Sequence, residues 1–321
     1  MDSTTFLNLL TIIGVLFLVM AAGFLCRKRG IINDVASNRM SKLIIEVGQP
    51  LLIIGSLISK EFSWELLKGG LLYLGLGLIL HPVMGLIALL CGRMFPQPDE
   101  KKLSQFALTF TNCAFIGFPI LSAVFPETGV FYGSFFVIGF HIYIWTLGIY
   151  LLSRGREDIK LTPKKAVLNF GTVPCAIGLA LYILKAVLPM PALLTDFCSY
   201  MGSLCMPISV MITGALLAKQ KPRDILGNPR IYLFNAIKLI LLPLAVCLLT
   251  KLCTVGLANS YEIVMFCTVI AALPSASTIT MLAELYDIKP GYAAQTVGTS
   301  SLLSVATLPL LYFLGDLIAR L

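Results

Sequence analysis

The stretch TFTNCAFIGFPIL, Thr109–Leu121, decides how the rest of the chain is interpreted. It lies in an apolar segment long enough to cross a bilayer, yet it contains Asn112, Gly117 and Pro119. Proline removes a backbone hydrogen-bond donor and clashes with the preceding turn, and glycine weakens a helix. A break at membrane depth frees backbone groups that only protein or a wet cavity can satisfy. The stretch predicts either a proline kink, with Asn112 bonded to a neighbouring helix, or a broken helix of the kind that holds a transporter substrate.

Composition indicates an integral membrane protein. Hydrophobic residues make up 58% of the 321 residues and charged residues 12%, whereas a soluble domain is about 25% charged. The net charge of +8 comes from loop lysines and arginines, so we expect no nucleic-acid partner. The chain has no phosphate-binding loop, only two histidines, and nine cysteines without metal-ligand spacing. We therefore expect no enzymatic activity, no cofactor and no metal site.

Apolar runs of about 20 residues predict ten membrane spans. In chain order these are about 5–25, 37–58, 68–92, 102–123, 128–152, 166–188, 196–218, 230–254, 260–284 and 291–319. Of the 24 lysines and arginines, 17 lie in the loops that follow odd-numbered spans. This bias places those loops in the cytoplasm and both termini outside, in a plasma-membrane protein.

Three prolines recur between the two halves of the chain. Pro50, Pro82 and Pro119 in the first half correspond to Pro207, Pro243 and Pro274 in the second, with offsets of 157, 161 and 155 residues. The matched prolines predict two five-span repeats, residues 1–153 and 166–321, joined by a short cytoplasmic linker at 154–165. Because five is odd, the second repeat must be inverted relative to the first.

Span 9 supplies a second predicted break, Ala271-Ala272-Leu273-Pro274-Ser275-Ala276-Ser277-Thr278. If spans 4 and 9 break at the same depth, they can cross. The N-termini of their second halves would then point at the crossing, where partial positive charge and free N–H groups suit a carboxylate.

These residues resemble the auxin efflux carrier family. The pattern Asn112-x-x-Phe115-x-Gly117-x-Pro119 is similar to the fourth-span signature of that family, and Pro274 to Tyr286 followed by Pro290 is similar to its ninth span and the following loop. The resemblance covers the whole chain. It implies an all-α membrane protein of ten helices in two inverted repeats with crossing, broken helices 4 and 9.

The resemblance also implies that the spans form two domains with different roles. Spans 1, 2, 6 and 7 would form a scaffold, often a homodimer, and spans 3–5 and 8–10 a transport domain that moves as an elevator. The function expected is secondary transport of a small organic anion, with Asn112 contacting the substrate. The short loop between Arg154 and Lys165 indicates a bacterial-type member. Because bacterial relatives are often described as malate or malonate carriers, the resemblance implies a malate-like or malonate-like substrate as well as an auxin-like one.

The predicted substrate site consists of residues at the two breaks and one residue in span 2. They are Asn112, Gly117, Pro119, Pro274, Ser275, Ser277 and Gln49.

Three other residues are candidates for charge or coupling. Lys238 lies inside span 8, and an intramembrane lysine is functional by default, although it could also snorkel to the surface. Related exporters pair this lysine with an acidic residue of span 3, which here offers only His81. Glu46 is either a coupling carboxylate or the partner of Lys42 one turn before it.

Two polar features have open interpretations. His141 lies among aromatic residues and is either a hydrogen-bonded core histidine or a ligand. The polar residues of span 10 either pack helices together or line the cavity. They are Gln295, Thr296, Thr299, Ser300, Ser301 and Ser304.

Three other functions remain open at this point. A sodium-coupled symporter of the bile-acid type resembles the same architecture, but neither crossing stretch contains Asp or Glu. A ligand-sensing or scaffolding membrane protein that binds without translocating is expected to have a soluble signalling domain, and none is visible in this sequence. A channel would need repeated filter residues, and none is visible.

Overall fold

The computed structural model describes residues 3–156, 168, 171–221, 223 and 227–321, without the side chains of 3–6, 8–10, 13, 281, 284 and 285. All regular elements in these ranges are helices. In chain order they are α1 Ser3–Lys28, α2 Asp34–Ile58, α3 Trp64–Cys91, α4 Pro98–Thr109, α5 Gly117–Val124, α6 Gly129–Ser153, α7 Thr172–Leu184, α8 Ala192–Lys219, α9 Pro229–Thr254, α10 Ser260–Ala272, α11 Thr278–Leu285 and α12 Pro290–Arg320.

Helical segments occupy all ten predicted spans, and two of these spans are interrupted. Six helices in the described part of the chain are long and apolar enough to cross a bilayer, namely α2, α3, α6, α8, α9 and α12. The spans predicted at 102–123 and 260–284 each consist of two short helices. The predicted linker 154–165 lies outside the described residues from position 157 onward.

Local sequence explains where several helices begin. The side chain of Asn33 accepts a hydrogen bond from the Ala36 amide at the start of α2, and Ser63 caps α3 in the same way. Proline occupies the first position of α4 and α12, where its missing N–H has no helical partner to lose.

Two of the repeated prolines follow a π-helical turn. Ile44–Gly48 precedes Pro50 in α2, and Ile237–Leu241 precedes Pro243 in α9. Because proline cannot donate to the carbonyl four residues earlier, the turn before it widens. Pro82 instead lies inside the continuous helix α3. The matched prolines therefore do not all produce the same local structure in the two halves.

The broken helices lie at the centre of the bundle. Every residue of α4 from Leu103 to Thr109 is buried, and so is every residue of α10 from Ile263 to Ala272. A helix that is buried on all sides needs no polar face. The two interruptions therefore lie in the interior of the protein and not at its lipid-facing surface.

Helices α1 and α8 cross at a pair of glycines. A Cβ added at Gly23 would lie 2.1 Å from the Met211 carbonyl oxygen, and one added at Gly214 would lie 1.9 Å from the Met20 carbonyl oxygen. Small residues allow two backbones to approach this closely in a membrane.

We expect Gly23→Ala to destabilise the protein by about 1–3 kcal/mol, because the new methyl group must push two backbones apart. Gly14→Ala is the matched control, since it lies in the same helix with no atom within 4 Å of its added Cβ. Thermal unfolding in detergent checks both variants. Equal melting temperatures for the two would contradict the close crossing.

Candidate functional site at the crossing of two broken helices

The two interruptions pair with each other through their backbones. The Asn112 amide donates to the Pro274 carbonyl oxygen at 2.8 Å, and the Ala276 amide donates to the Phe110 carbonyl oxygen at 2.9 Å. Thr111 and Ser275 thereby face each other as an isolated antiparallel bridge. Each break satisfies backbone groups that the other has freed, as buried irregular backbone in a membrane requires.

Side chains add a second set of links at the crossing. Asn112 Nδ2 donates to Ser277 Oγ at 3.1 Å, and the Ser275 hydroxyl donates to the Ala107 carbonyl oxygen at 3.0 Å. The Ser275 amide donates to Ser300 Oγ of α12 at 3.2 Å. Asn112 therefore lies at a helix break and also bonds to a neighbouring segment, so the structure agrees with both interpretations of this residue.

Gly117 and Pro119 start the second half of the first broken helix. The interruption covers residues 110–116, so both residues lie in the first turn of α5. Proline is tolerated there because the first amides of a helix have no helical partner. A Cβ at Gly117 would lie 2.9 Å from Leu273 Cδ1. The break is therefore N-terminal to Pro119, and the glycine lets the two interruptions approach closely.

A small cavity lies against the crossing. Its volume is about 30 Å³, which is room for about two water molecules. It is lined by Ser41, Ile44, Ile45, Phe115, Ser209, Ile212, Ser277, Thr278 and Thr280. The wall thus combines α2 and α8, which are spans 2 and 7, with both interruptions and the start of α11. A substrate larger than water requires this cavity to widen.

Lys238 lies behind the crossing and not in the cavity wall. Its side chain is fully buried in the π-helical turn of α9, and Nζ donates to the Leu108 carbonyl oxygen at 3.3 Å. This carbonyl belongs to the last turn of α4, where the helix dipole favours a cation. No carboxylate pairs with Lys238 in the part of the chain that the structure describes.

His81, the other candidate for charge or coupling in this part of the bundle, is fully buried in α3. The His81 ring is packed against the rings of Phe110 and Phe136 at 5.9 and 5.2 Å between centroids. Its Nδ1 lies 2.7 Å from the Gly77 carbonyl oxygen. Because a carbonyl can only accept, Nδ1 carries the proton. Nε2 has no partner among the described residues.

Gln49 does not line the cavity. It is buried, and its Nε2 lies 2.8 Å from Nε2 of His141. This contact agrees with the interpretation of His141 as a hydrogen-bonded core histidine. Glu46 lies 3.8 Å from Lys42, which agrees with the interpretation of a helical charge pair.

Two of the six polar residues of span 10 make hydrogen bonds to other segments of the protein. Thr299 Oγ1 accepts a hydrogen bond from Asn235 Nδ2 of α9 at 2.9 Å, and Ser300 bonds the crossing. Ser301 and Ser304 line a second void of about 20 Å³ beside α1 and α5. Of the two interpretations, packing describes Thr299 and Ser300.

Sequence reasoning missed a buried charge at the other end of α4. Glu100 is 7% exposed and accepts from Arg230 at 2.8 Å and from Lys289 at 3.0 Å. Lys289 has a left-handed backbone with φ of 36°. Glu100 therefore ties α4, α9 and the connection before α12 together. In the sequence it resembles an ordinary first-turn acid after Pro98.

No cluster of three metal-ligating side chains occurs among the described residues. The chain matches the membrane transport protein family over residues 9–169 and 160–312. It is also 22% identical to an uncharacterized transporter of Methanothermobacter thermautotrophicus over 303 residues, which are 94% of this chain and 96% of that protein. With its apolar helices and its crossing interruptions, the chain is a multi-pass membrane transporter and belongs to the membrane transport protein family, the auxin efflux carriers.

Proposed function

We propose that this transporter carries a small organic anion, a mono- or dicarboxylate, across the plasma membrane. The observation that carries the proposal is the reciprocal pairing of two helix breaks around Thr111 and Ser275. Helices α5 and α11 both begin at this crossing. Their N-terminal dipoles place partial positive charge where a carboxylate would bind.

The cavity chemistry supports an anion as the substrate. The amides of Ser277 and Thr278, two residues of the cavity wall, make no hydrogen bond within the described ranges and are free to donate to an anion. No carboxylate lines this wall. In this proposal Asn112 and the start of α11 bind the carboxylate, and Lys238 adds positive charge from behind.

The mechanism proposed is an elevator built on ten spans in two inverted repeats. Spans 1, 2, 6 and 7 form the scaffold and spans 3–5 and 8–10 the transport domain, with the basic loops in the cytoplasm. The cavity wall supports this division because α2 and α8 face the crossing across it. A homodimer through the scaffold completes the proposal.

Sodium coupling is the second candidate function, because bile-acid symporters resemble the same architecture. Sodium prefers oxygen ligands, as hard cations do. Residues 103–121 and 269–282 contain neither Asp nor Glu. Lys238 Nζ donates to the Leu108 carbonyl oxygen beside the crossing, and an ammonium group at this position would repel sodium. Both observations favour transport without sodium.

Charge movement on a sensor membrane tests the proposal. Purified protein in liposomes receives malonate, malate, short monocarboxylates and indole acetate in turn, with sodium or with choline. We expect a saturable current for at least one carboxylate that is unchanged in choline. A current that requires sodium would support the symporter instead. Binding without flux in folded protein would support a membrane sensor.

A further inference from the structure

A larger cavity lies at the end of the bundle opposite the basic loops. Its volume is about 230 Å³, which is less than the roughly 300–1,000 Å³ of pockets for drug-sized ligands. It shares no residue with the cavity at the crossing. Four aromatic side chains and two carboxylates contribute to its wall, namely Tyr73, Phe125, Tyr132, Phe266, Glu127 and Glu262. Its size suits a ligand of few atoms.

The four aromatic side chains form one continuous row. The rings of Tyr73 and Tyr132 are stacked, with 4.5 Å between centroids and 13° between planes. Phe266 contacts Tyr73 edge-on at 4.5 Å, and Phe125 lies 6.2 Å from Phe266. A cation within about 6 Å of an aromatic ring is attracted to the negative face of the ring. The row therefore makes the wall attractive to a cation and not to a carboxylate.

Two members of the row, Phe125 and Tyr132, are only half-buried. Gly69 of α3 makes room for Tyr132, since a Cβ at Gly69 would lie 2.5 Å from the Tyr132 hydroxyl oxygen. A larger residue at position 69 would displace this ring. The half-buried rings leave the row accessible from outside the bundle.

The two carboxylates of the wall differ in their partners. Glu127 lies 3.9 Å from Lys60, whereas Glu262 forms no ion pair with any residue that the structure describes. Glu262 is exposed in the first turn of α10, where the helix dipole favours a negative charge. Within the described ranges no lysine, arginine or histidine lines the cavity. The wall is therefore negative, with one carboxylate that lacks a partner.

Ordinary packing explains the rings and the carboxylates separately. Aromatic rings pack in protein cores, and an acid in a first turn stabilises the start of a helix. Neither role explains an open cavity in which a row of rings meets an unpaired carboxylate. Aromatic cages that bind ammonium ligands combine an apolar ring surface with negative charge in this way.

We propose that this cavity binds a small organic ammonium cation, as a free solute or as the ammonium headgroup of a lipid. The ammonium group lies against the row of rings, and Glu262 supplies the opposite charge. In the orientation proposed above the cavity opens on the outer side of the membrane, because the connections at 125–128 and 255–259 follow even-numbered spans. This ammonium site is separate from the proposed carboxylate site and does not depend on it.

Saturation-transfer NMR with choline tests the ammonium site on protein in maltoside detergent and potassium buffer. The control probe is 3,3-dimethyl-1-butanol, in which carbon replaces the ammonium nitrogen. We expect choline to bind with a dissociation constant on the order of 1 mM, because a partly exposed ion pair and a few cation–π contacts are modest interactions. The neutral probe should show no saturable binding.

Three variants assign the binding to this cavity. Glu262→Gln should weaken choline binding about fivefold, because it removes the unpaired carboxylate. Glu65→Gln is the matched control and should bind as wild type, since Glu65 is an exposed first-turn acid of α3 outside the cavity. Lys60→Met should strengthen binding about two- to fivefold, because it frees Glu127. Misfolding cannot produce such a gain.

Two nanodisc compositions identify the source of the cation. Weaker choline binding when half of the phosphatidylglycerol is replaced by phosphatidylethanolamine means that a lipid headgroup occupies the site. Equal binding in the two compositions means that the ligand is a free solute. Because choline also replaces sodium in the transport experiment, repeating that experiment with Glu262→Gln separates choline binding from sodium removal.

Three results would each overturn the ammonium site. They are the absence of saturable choline binding to wild-type protein, equal binding of the neutral probe, and an unchanged choline affinity in Glu262→Gln. Each of them leaves the proposed function intact, since none concerns carboxylate flux. Absence of flux in wild-type protein would overturn the proposed function, whereas choline binding would still report the ammonium site.

Discussion

Asn112→Ala should lower carboxylate transport about 10- to 100-fold while the protein stays folded. The mutation removes the side-chain bond to Ser277 Oγ and the proposed substrate contact, but the Asn112 amide still donates to Pro274. Losing hydrogen bonds to a charged ligand costs about 1.5–3 kcal/mol, and each 1.4 kcal/mol is a factor of ten. The measurement is the dependence of the current on carboxylate concentration.

Asn259→Ala is the matched control for this loss. Asn259 precedes α10, and its side chain makes no capping hydrogen bond. We expect wild-type currents from this variant. If Asn112→Ala left both apparent affinity and maximal current unchanged, Asn112 would have no part in binding the substrate.

Lys238→Met should lower transport without lowering the thermal stability of the protein. We expect transport to fall at least about 100-fold, because the cation behind the crossing is lost. The melting temperature should stay the same or rise, since a buried ammonium with one hydrogen bond and no carboxylate partner in the described chain is costly to bury. Flux and thermal unfolding are measured on the same preparations.

Lys68→Met is the control for removing a positive charge, because Lys68 is an exposed residue of α3. It should leave both readouts unchanged. The contrary result is a Lys238→Met protein with a lower melting temperature whose folded fraction transports at the wild-type rate. Lys238 would then stabilise the bundle and have no role in transport.

The sequence predicted a disturbed helix at these two places because backbone chemistry at glycine and proline is local, but the stretch around Pro119 by itself allowed either a kink or a break. Gly117, Pro119 and Pro274 each weaken the helix at their own position. The sequence did not predict at which residues the first break begins and ends. The first break lies at residues 110–116, before Pro119, because a proline in the first turn of α5 is compatible with a helix.

The matched prolines predicted the same local helix geometry at corresponding positions of the two halves, and the structure differs from this at one pair. Pro243 follows a π-helical turn, whereas Pro82 lies in an uninterrupted helix. Whether a helix widens or bends at a proline depends on the packing around it, which one sequence does not contain. The inverted repeat therefore stays a proposal.

Contacts between distant segments could not be predicted from spacing alone. Gln49 was expected at the substrate but is bonded to His141, 92 residues away. Glu100 was not singled out, although Arg230 and Lys289 converge on it from 130 and 189 residues away. A single polar residue in a span indicates that a partner exists, but the fold decides which one.

A structure determined with the transported carboxylate bound tests the central claim most directly. The account predicts density for the anion between Asn112 Nδ2 and the first residues of α11, in a widened form of the cavity beside Phe115 and Ser209. Density at any other place, with the bridge between Thr111 and Ser275 unchanged and the cavity still closed, would contradict the claim that the crossing of the two broken helices binds the substrate.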